Sequence, residues 1–222
     1  MLNHFFKKLK VKILIKLINT QAYRWFTLNI IARIRFSMYY TNMKGAVYHE
    51  GYKLLKPGDI ILTKDKKKLN THIIGGEWAH TGLCISKNRK FECVEMTSKH
   101  YTKSTFADMC FEADRVAIIR CTDFDQEYIR QVIAKALSFE GARYDTVFTL
   151  KNEFLYCSEL IYESDFERRL EVSLEDLAFI GNPYISPTGI ANAGNIKVIW
   201  DSKYSHAYQD VLDFDAKDLK KG

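Results

Sequence analysis

One cysteine lies where a side chain can become a nucleophile. Apolar residues follow Cys157 at helical spacing, which predicts that Cys157 lies at or just before the N-terminus of a helix. Backbone N–H groups and the helix dipole stabilise a thiolate there, and lower the pKa of a cysteine from about 8.5 to about 3.5–7.5. The same N–H groups can form an oxyanion hole. Cys157 is therefore a candidate nucleophile.

A thiolate nucleophile needs a base or an imidazolium beside it, and His80 is the candidate. His80 lies within residues 78–85, which have the pattern of a buried strand, and the small pair Thr81 and Gly82 follows it. A histidine there points from a rigid element toward whatever packs on the sheet. These two residues alone leave both interpretations open, because a strand histidine is more often a hydrogen-bonded core residue and a buried cysteine is more often inert.

The surrounding elements can be predicted from hydrophobic periodicity and end signals. The chain has no internal repeat. A helix is predicted over residues 125–139, with Asp123 or Asp125 as its N-cap and Gly141 after its end. Ser173 is predicted to cap a further short helix over residues 173–177. Strands are predicted at residues 60–63, 78–85, 91–96, 115–120 and 196–200.

Four segments in this order resemble the circularly permuted papain-like hydrolases: GDII at residues 58–61, AHTGL at 79–83, GARYD at 141–145 and YCSELIY at 156–162. This is the permuted branch of the NlpC-type superfamily, closest to its YiiX-like members and related to lecithin:retinol acyltransferase. The resemblance covers residues 54–200. It implies an α+β fold in which an antiparallel sheet packs against helices and the nucleophile lies at a helix N-terminus.

The resemblance implies Cys157 as nucleophile and His80 as general base of an acyl transfer through a thioester. A third polar residue on the following strand orients the imidazole, and Glu95 and Glu92 are the options. Glu95 is preferred, since it has the opposite strand parity to Glu92 and lies about one hairpin after the histidine. Tyr144 and Ser158 are expected to contact substrate, Tyr144 as a phenol donor near the oxyanion or as a substrate contact.

Three functions are compatible with this site. The first is a thiol amidase or peptidase that acts on peptide-like amides, as the resemblance implies. The second is a lipid acyl hydrolase or acyltransferase at a membrane surface. The third is an inactive module that binds a peptide or a lipid, which the presence of all three triad residue types disfavours. No cysteine and histidine set has zinc spacing, so neither a metal nor another cofactor is predicted.

Basic and acidic residues are distributed unevenly along the chain. Residues 1–49 hold nine basic and no acidic residues, whereas the rest holds 24 of the 33 basic residues and all 27 acidic residues. Residues 2–40 are predicted to form two basic, aromatic-rich helices with a break near Asn19 and Thr20. They either cover the catalytic body or bind an anionic membrane surface, and nucleic acid is an unlikely partner.

We therefore predict a basic helical extension over residues 1–48, a catalytic domain over 49–205 and a polar tail over 206–222. No stretch has about 18 uninterrupted apolar residues, and no signal-peptide pattern is present at the start. The five cysteines form no close pair, which favours reduced thiols. The predicted location is the cytoplasm, with or without peripheral attachment to a membrane.

Overall fold

The computed structural model describes residues 20–30, 43, 45–66, 76–111, 113–150, 153–176 and 183–206. Predictions for most of the basic extension and for the polar tail lie outside these residues. The helices are α1 (Gln21–Asn29), α2 (Gly45–Leu54), α3 (Phe106–Phe111), α4 (Gln126–Ser138), α5 (Cys157–Ser164) and α6 (Pro187–Ala191), followed by a 3-10 turn at Ser202–Tyr204. The longer strands are β1 (Ile60–Lys64), β2 (His80–Cys84), β3 (Cys93–Met96), β4 (Tyr101–Ser104) and β5 (Arg115–Cys121). The short strands are β6 (Arg143–Tyr144), β7 (Phe154–Leu155), β8 (Glu175–Asp176) and β9 (Pro183–Tyr184), and β10 (Ile196–Asp201) is the last.

Among the described residues, a six-stranded antiparallel sheet in the order β10-β5-β1-β2-β3-β4 forms the centre of the fold. Its inner strands are buried on both faces, so their sequences are nearly continuous apolar runs. The strands predicted from these runs are confirmed. The mixture of helices with an antiparallel sheet also confirms the predicted α+β class.

Alternate strand residues face two separate apolar clusters, as the pleat of a sheet requires. Ile60 and Leu62 of β1 pack with the helices α4 and α5 on one face. Ile61 lies on the other face, with Val47 of α2 and Phe106 of α3. Cys157 belongs to the first cluster, so the start of α5 is fixed by the core of the domain.

The turn before β1 explains why glycine and aspartate precede the strand. Gly58 has φ +90, and a Cβ at this position would collide with Ile129 of α4. The fully buried Asp59 accepts two hydrogen bonds from Arg120 of β5, at 2.6 and 2.8 Å. The GD pair of the GDII segment is therefore a structural junction between β1 and β5.

End signals predicted some helix boundaries and misplaced one element. Asp125 caps α4 by accepting a hydrogen bond from the Tyr128 N–H, and Thr20 caps α1 in the same way through Tyr23, at the predicted break. The predicted helix over residues 173–177 is wrong, because Glu175 and Asp176 form β8 and pair with β9. Isolated short helices are marginal, and here strand pairing supplies the backbone partners.

The structure also tests the prediction about membrane spans. In the part of the chain that is described, no helix combines the length and the apolar character needed to cross a bilayer.

Candidate active site

Cys157 is the first residue of α5. Tyr156 before it has extended backbone angles, and its N–H donates to the carboxylate of Glu159 at 3.4 Å. The first N–H groups of a helix have no partner within the helix, and those of α5 begin at Cys157. The predicted position of the cysteine at a helix N-terminus is confirmed. The helix start therefore offers both a field that stabilises a thiolate and donors for an oxyanion.

His80 and Glu95 form a close pair on neighbouring strands. The register pairs Gly82 with Glu95, which brings the carboxylate within reach of His80 two residues earlier. Nε2 of His80 lies 2.6 Å from Oε2 of Glu95, and the two side chains are 28% and 11% exposed. Such a contact fixes the imidazole orientation and stabilises its protonated form.

Cys157 hydrogen-bonds the His80 side chain, and the Thr81 N–H donates to the same sulfur. Burial alone would raise the pKa of Cys157, but the His80 charge and these hydrogen bonds lower it. Burial likewise disfavours charged His80, but its bonds to Cys157 and Glu95 raise the pKa of His80 to about 10. Both shifts favour a thiolate–imidazolium pair at neutral pH.

Glu92, the second option for the carboxylate, lies in a different environment. Its Oε1 accepts a hydrogen bond from the Tyr52 hydroxyl at 2.5 Å and from the Asn88 N–H at 3.2 Å. Its Oε2 accepts from the Phe106 N–H at 3.3 Å. The structure thus brings Glu95, and not Glu92, into contact with His80.

Tyr144 lies close enough to Cys157 to respond to its charge. Burial, and then the negative charge of Cys157, raise the pKa of Tyr144 well above its usual value. The phenol therefore keeps its proton beside the thiolate and remains a hydrogen-bond donor.

Ser158, the other predicted substrate contact, is fully buried. Its hydroxyl proton is donated to the Ile185 carbonyl at 2.7 Å. Its side chain thus holds α5 against a neighbouring segment.

A family model described as the permuted papain-like amidase enzyme, YaeF/YiiX, C92 family, matches residues 54–207. The chain belongs to this family. A search of the solved structures found the fold in the metalloprotein yiiX from Escherichia coli O157:H7, with a TM-score of 0.57 and 16% sequence identity. That match covers 65% of this chain and 96% of the other. A search of the curated proteins found no match.

The E. coli protein is described as a metalloprotein. A metal site needs several nitrogen, oxygen or sulfur ligands that converge on one point. Within the described ranges, no group of three or more histidine, cysteine, aspartate or glutamate residues could hold a metal ion. The donors of the described residues therefore do not fit a metal ion.

A short segment, residues 185–188, connects the candidate nucleophile to the candidate base in this member of the permuted papain-like family. The Ile185 N–H donates to the Tyr156 hydroxyl at 3.0 Å, and the Ile185 carbonyl accepts from Ser158. The two residues that flank Cys157 are thus tied to one residue. Thr188 accepts from the Trp78 N–H at 3.0 Å and donates to the Trp78 carbonyl at 3.4 Å, two residues before His80. We call residues 185–188 the bracing segment.

Sequence reasoning did not find the bracing segment. Ser186 followed by Pro187 is typical of a helix start and is a local signal that could have indicated α6. Its contacts join residues that are far apart in sequence and leave no periodic pattern.

An aromatic side chain that sequence reasoning also missed packs on Tyr156, the residue before the candidate nucleophile. Phe148 has φ +56, a left-handed conformation that phenylalanine rarely adopts. Buried Asp145 holds this turn by accepting hydrogen bonds from the N–H groups of Val147 and Thr149, at 2.7 and 2.8 Å. The Phe148 ring contacts the ring of Tyr156 with its centroid 5.2 Å away. The turn therefore places an aromatic surface next to the start of α5.

The other four cysteines differ from Cys157 in their electrostatics. Burial raises the pKa of Cys84 to about 12 and that of Cys121 to about 11, and it also raises the pKa of Cys93 and of Cys110. All five thiols are unpaired with one another. Cys157 alone among them has a lowered pKa.

Proposed function

We propose that the chain is a thiol-dependent amidase or peptidase in which Cys157, His80 and Glu95 act as a catalytic triad. Membership of the permuted papain-like amidase family supports hydrolase activity in general. The observation that carries the specific proposal is the contact of Cys157 with His80, which lowers the pKa of the thiol and raises that of the imidazole. A structural cysteine and a core histidine would not need this arrangement.

In the first half-reaction the Cys157 thiolate attacks the carbonyl carbon of a peptide-like amide and forms a C–S bond. The carbonyl oxygen becomes an oxyanion, which the N–H groups at the start of α5 and the Tyr144 hydroxyl stabilise. The C–N bond then breaks, and the leaving nitrogen takes the proton of the His80 imidazolium. The amine departs and the acyl group remains on Cys157 as a thioester.

In the second half-reaction neutral His80 takes a proton from water as the water oxygen attacks the thioester. The C–S bond breaks, the carboxylic acid leaves, and the thiolate–imidazolium pair is restored. Glu95 holds the imidazole in place and stabilises its charged form in both steps.

The decisive experiment is alkylation with iodoacetamide at about pH 6, where an ordinary thiol is almost entirely protonated. We expect mass mapping to find the label at Cys157 well before the other four cysteines. Uniform labelling of all five cysteines, or no labelling at Cys157, would favour the inactive binding module and contradict the proposed catalytic triad.

Activity of two alanine variants completes this test. Cys157→Ala should lose about a thousandfold or more of the amidase activity while keeping the fold, as judged by circular dichroism. Cys121→Ala is the matched control, because it removes a buried thiol whose pKa is raised, and it should keep activity close to that of the unmodified chain.

The same thioester chemistry could act on a lipid ester, which is the second candidate function. The observation that favours it is the exposed apolar surface of α1, whose Trp25 and Phe26 side chains face solvent. Comparing turnover of a peptide-like anilide with release of fatty acid from phospholipid distinguishes the two candidates.

We also propose that the protein resides in a reducing compartment, the cytoplasm. Five thiols that form no disulfide support this location. Full recovery of all five thiols by alkylation of the protein in freshly lysed cells is the expected result, and disulfide-linked peptides would contradict it.

A further inference from the structure

Helix α1 carries large apolar side chains on its outer surface. Trp25 is 61% exposed, Phe26 is 44% exposed, and Ile30 at its C-cap is 39% exposed. At 100° per residue these three positions span about 140° of the helix circumference, so they form one continuous side. Exposed aromatic residues are individually ordinary, but three large apolar side chains on one side of a short helix mark a contact surface.

The charge around this helix has one sign. Residues 1–49, which include α1, contain nine basic residues and no acidic one. The body of the chain is mildly acidic by comparison, since it holds all 27 acidic residues. Any partner of α1 must therefore combine an apolar surface with negative charge.

An anionic lipid bilayer meets both requirements better than the other candidates. Tryptophan and phenylalanine insert at the boundary between headgroups and acyl chains, while lysine and arginine remain among the anionic headgroups. A second copy of this chain would bring two uniformly basic segments together. A nucleic acid would satisfy the charges, but duplexes have no apolar phase to receive Ile30.

We infer that α1, with the basic residues that flank it in sequence, docks the protein onto the surface of an anionic membrane. The apolar side formed by Trp25, Phe26 and Ile30 enters the interface, and the basic residues supply attraction to the headgroups. This inference concerns location and stands whether or not the proposed acyl-transfer chemistry is correct.

Vesicle flotation of the full chain tests the inference. The vesicles are equal parts phosphatidylcholine and phosphatidylglycerol, and vesicles of phosphatidylcholine alone are the comparison. We expect flotation with the anionic vesicles at about 0.1 M salt and a large loss at about 1 M salt, where screening shortens the range of electrostatic attraction to about 3 Å. Equal flotation with both vesicle types, or none with either, would overturn the inference.

The triple variant Trp25→Ala, Phe26→Ala and Ile30→Ala should bind anionic vesicles about tenfold more weakly or worse. The matched control replaces three apolar side chains of the catalytic body by alanine, namely Phe111, Phe166 and Leu174, which are 61%, 43% and 48% exposed. The control should bind like the unmodified chain. Equal losses in both triple variants would show that general surface hydrophobicity causes binding, and would contradict a specific docking surface.

Two further outcomes identify other partners. Binding of labelled single-stranded RNA that is stronger than binding to anionic vesicles, and lost in the α1 triple variant, would assign the surface to nucleic acid instead. A dimer in size-exclusion chromatography that dissociates in the same variant would assign it to a second copy. Cys157→Ala should bind vesicles unchanged, so failure of the catalytic proposal and failure of the docking proposal are distinguishable.

Discussion

Glu95, together with Cys157, raises the pKa of His80 in the proposed catalytic pair. Its carboxylate lies 2.6 Å from the His80 ring nitrogen and helps to raise the pKa of His80 to about 10. The active pair requires a protonated imidazole, so activity should be lost as pH rises through the His80 pKa. It should also be lost as pH falls through the lowered pKa of Cys157, because the thiolate is then protonated.

The variant Glu95→Gln keeps a hydrogen-bonding side chain of the same size but removes its charge. Loss of a neighbouring negative charge lowers a histidine pKa, so the alkaline limb of kcat/KM should move to lower pH by about one pH unit or more. The pH profile of kcat/KM measures the shift. Glu92→Gln is the control, because Glu92 bonds Tyr52 and Phe106 instead of His80, and its alkaline limb should stay in place. An unmoved limb in Glu95→Gln would rule out the assigned role.

At this scale the sequence named the proposed triad residues but not the contacts that support the start of α5. Cys157 at a helix start was predictable from local apolar spacing, and strand parity favoured Glu95 over Glu92. The contact of Ser158 with Ile185 was not predictable, because it joins residues 27 positions apart through a single hydroxyl. Ser158 was expected to contact substrate, and its hydroxyl bonds the Ile185 carbonyl. The contact of Ser158 with substrate stays a prediction.

The bracing segment is the element that contacts both sides of the candidate site, and we propose that it helps to set the distance between Cys157 and His80. It bonds the residues on both sides of Cys157 through Ile185, and bonds the residue two positions before His80 through Thr188. A substitution in such a segment should lower kcat/KM more than its effect on the free energy of unfolding would suggest. The reason is that small displacements of reacting groups slow the reaction strongly.

Thr188→Val tests this role, since valine has the shape of threonine but no hydroxyl. It leaves the Trp78 N–H without its partner and should lower the free energy of unfolding by about 1–3 kcal/mol. We also expect kcat/KM to fall while Thr188→Ser, which keeps the hydroxyl, restores most of it. Denaturant unfolding and steady-state kinetics of the folded protein measure the two effects.

Thr122→Val provides the comparison for this prediction. The Thr122 hydroxyl donates to the Asn195 carbonyl at 3.2 Å. Thr122 directly follows the end of β5 that is farther from His80. This variant should lose stability and keep its kcat/KM. Equal kinetic losses in the two valine variants would indicate that the bracing segment has no special connection to the site.

Among the elements, those with a strong periodic pattern were predictable and those made by tertiary packing were not. The buried strands and α4 follow directly from apolar runs and spacing. Helix α2 carries Gly45 and Gly51, and glycine disfavours a helix by about 1 kcal/mol relative to alanine. The structure explains Gly51, because a Cβ there would lie 2.8 Å from the Trp200 ring. The distant tryptophan requires the glycine, which no local pattern in α2 reveals.

At the scale of the whole molecule, α2 bears on the predicted division between the basic extension and the catalytic body. The predicted boundary between residues 48 and 49 falls inside this helix, which spans Gly45–Leu54. Met43 and Val47 are buried in the same apolar cluster as Phe106 and Trp200. We therefore propose that Met43 and Val47 belong to the body, although charge alone groups them with the extension.

Two truncations distinguish these boundaries. Removal of residues 1–42 keeps Met43 and Val47, so the shortened chain should have a melting temperature close to that of the full chain and unchanged turnover of a soluble amide. Removal of residues 1–48 also takes away these two buried side chains and the first four of the ten residues of α2, which should cost about 3 kcal/mol or more of stability. Thermal unfolding by circular dichroism compares the two. Similar melting temperatures of the two truncated chains would place the boundary after α2 begins. A large fall in melting temperature on removing residues 1–42 would mean that the extension itself stabilises the body.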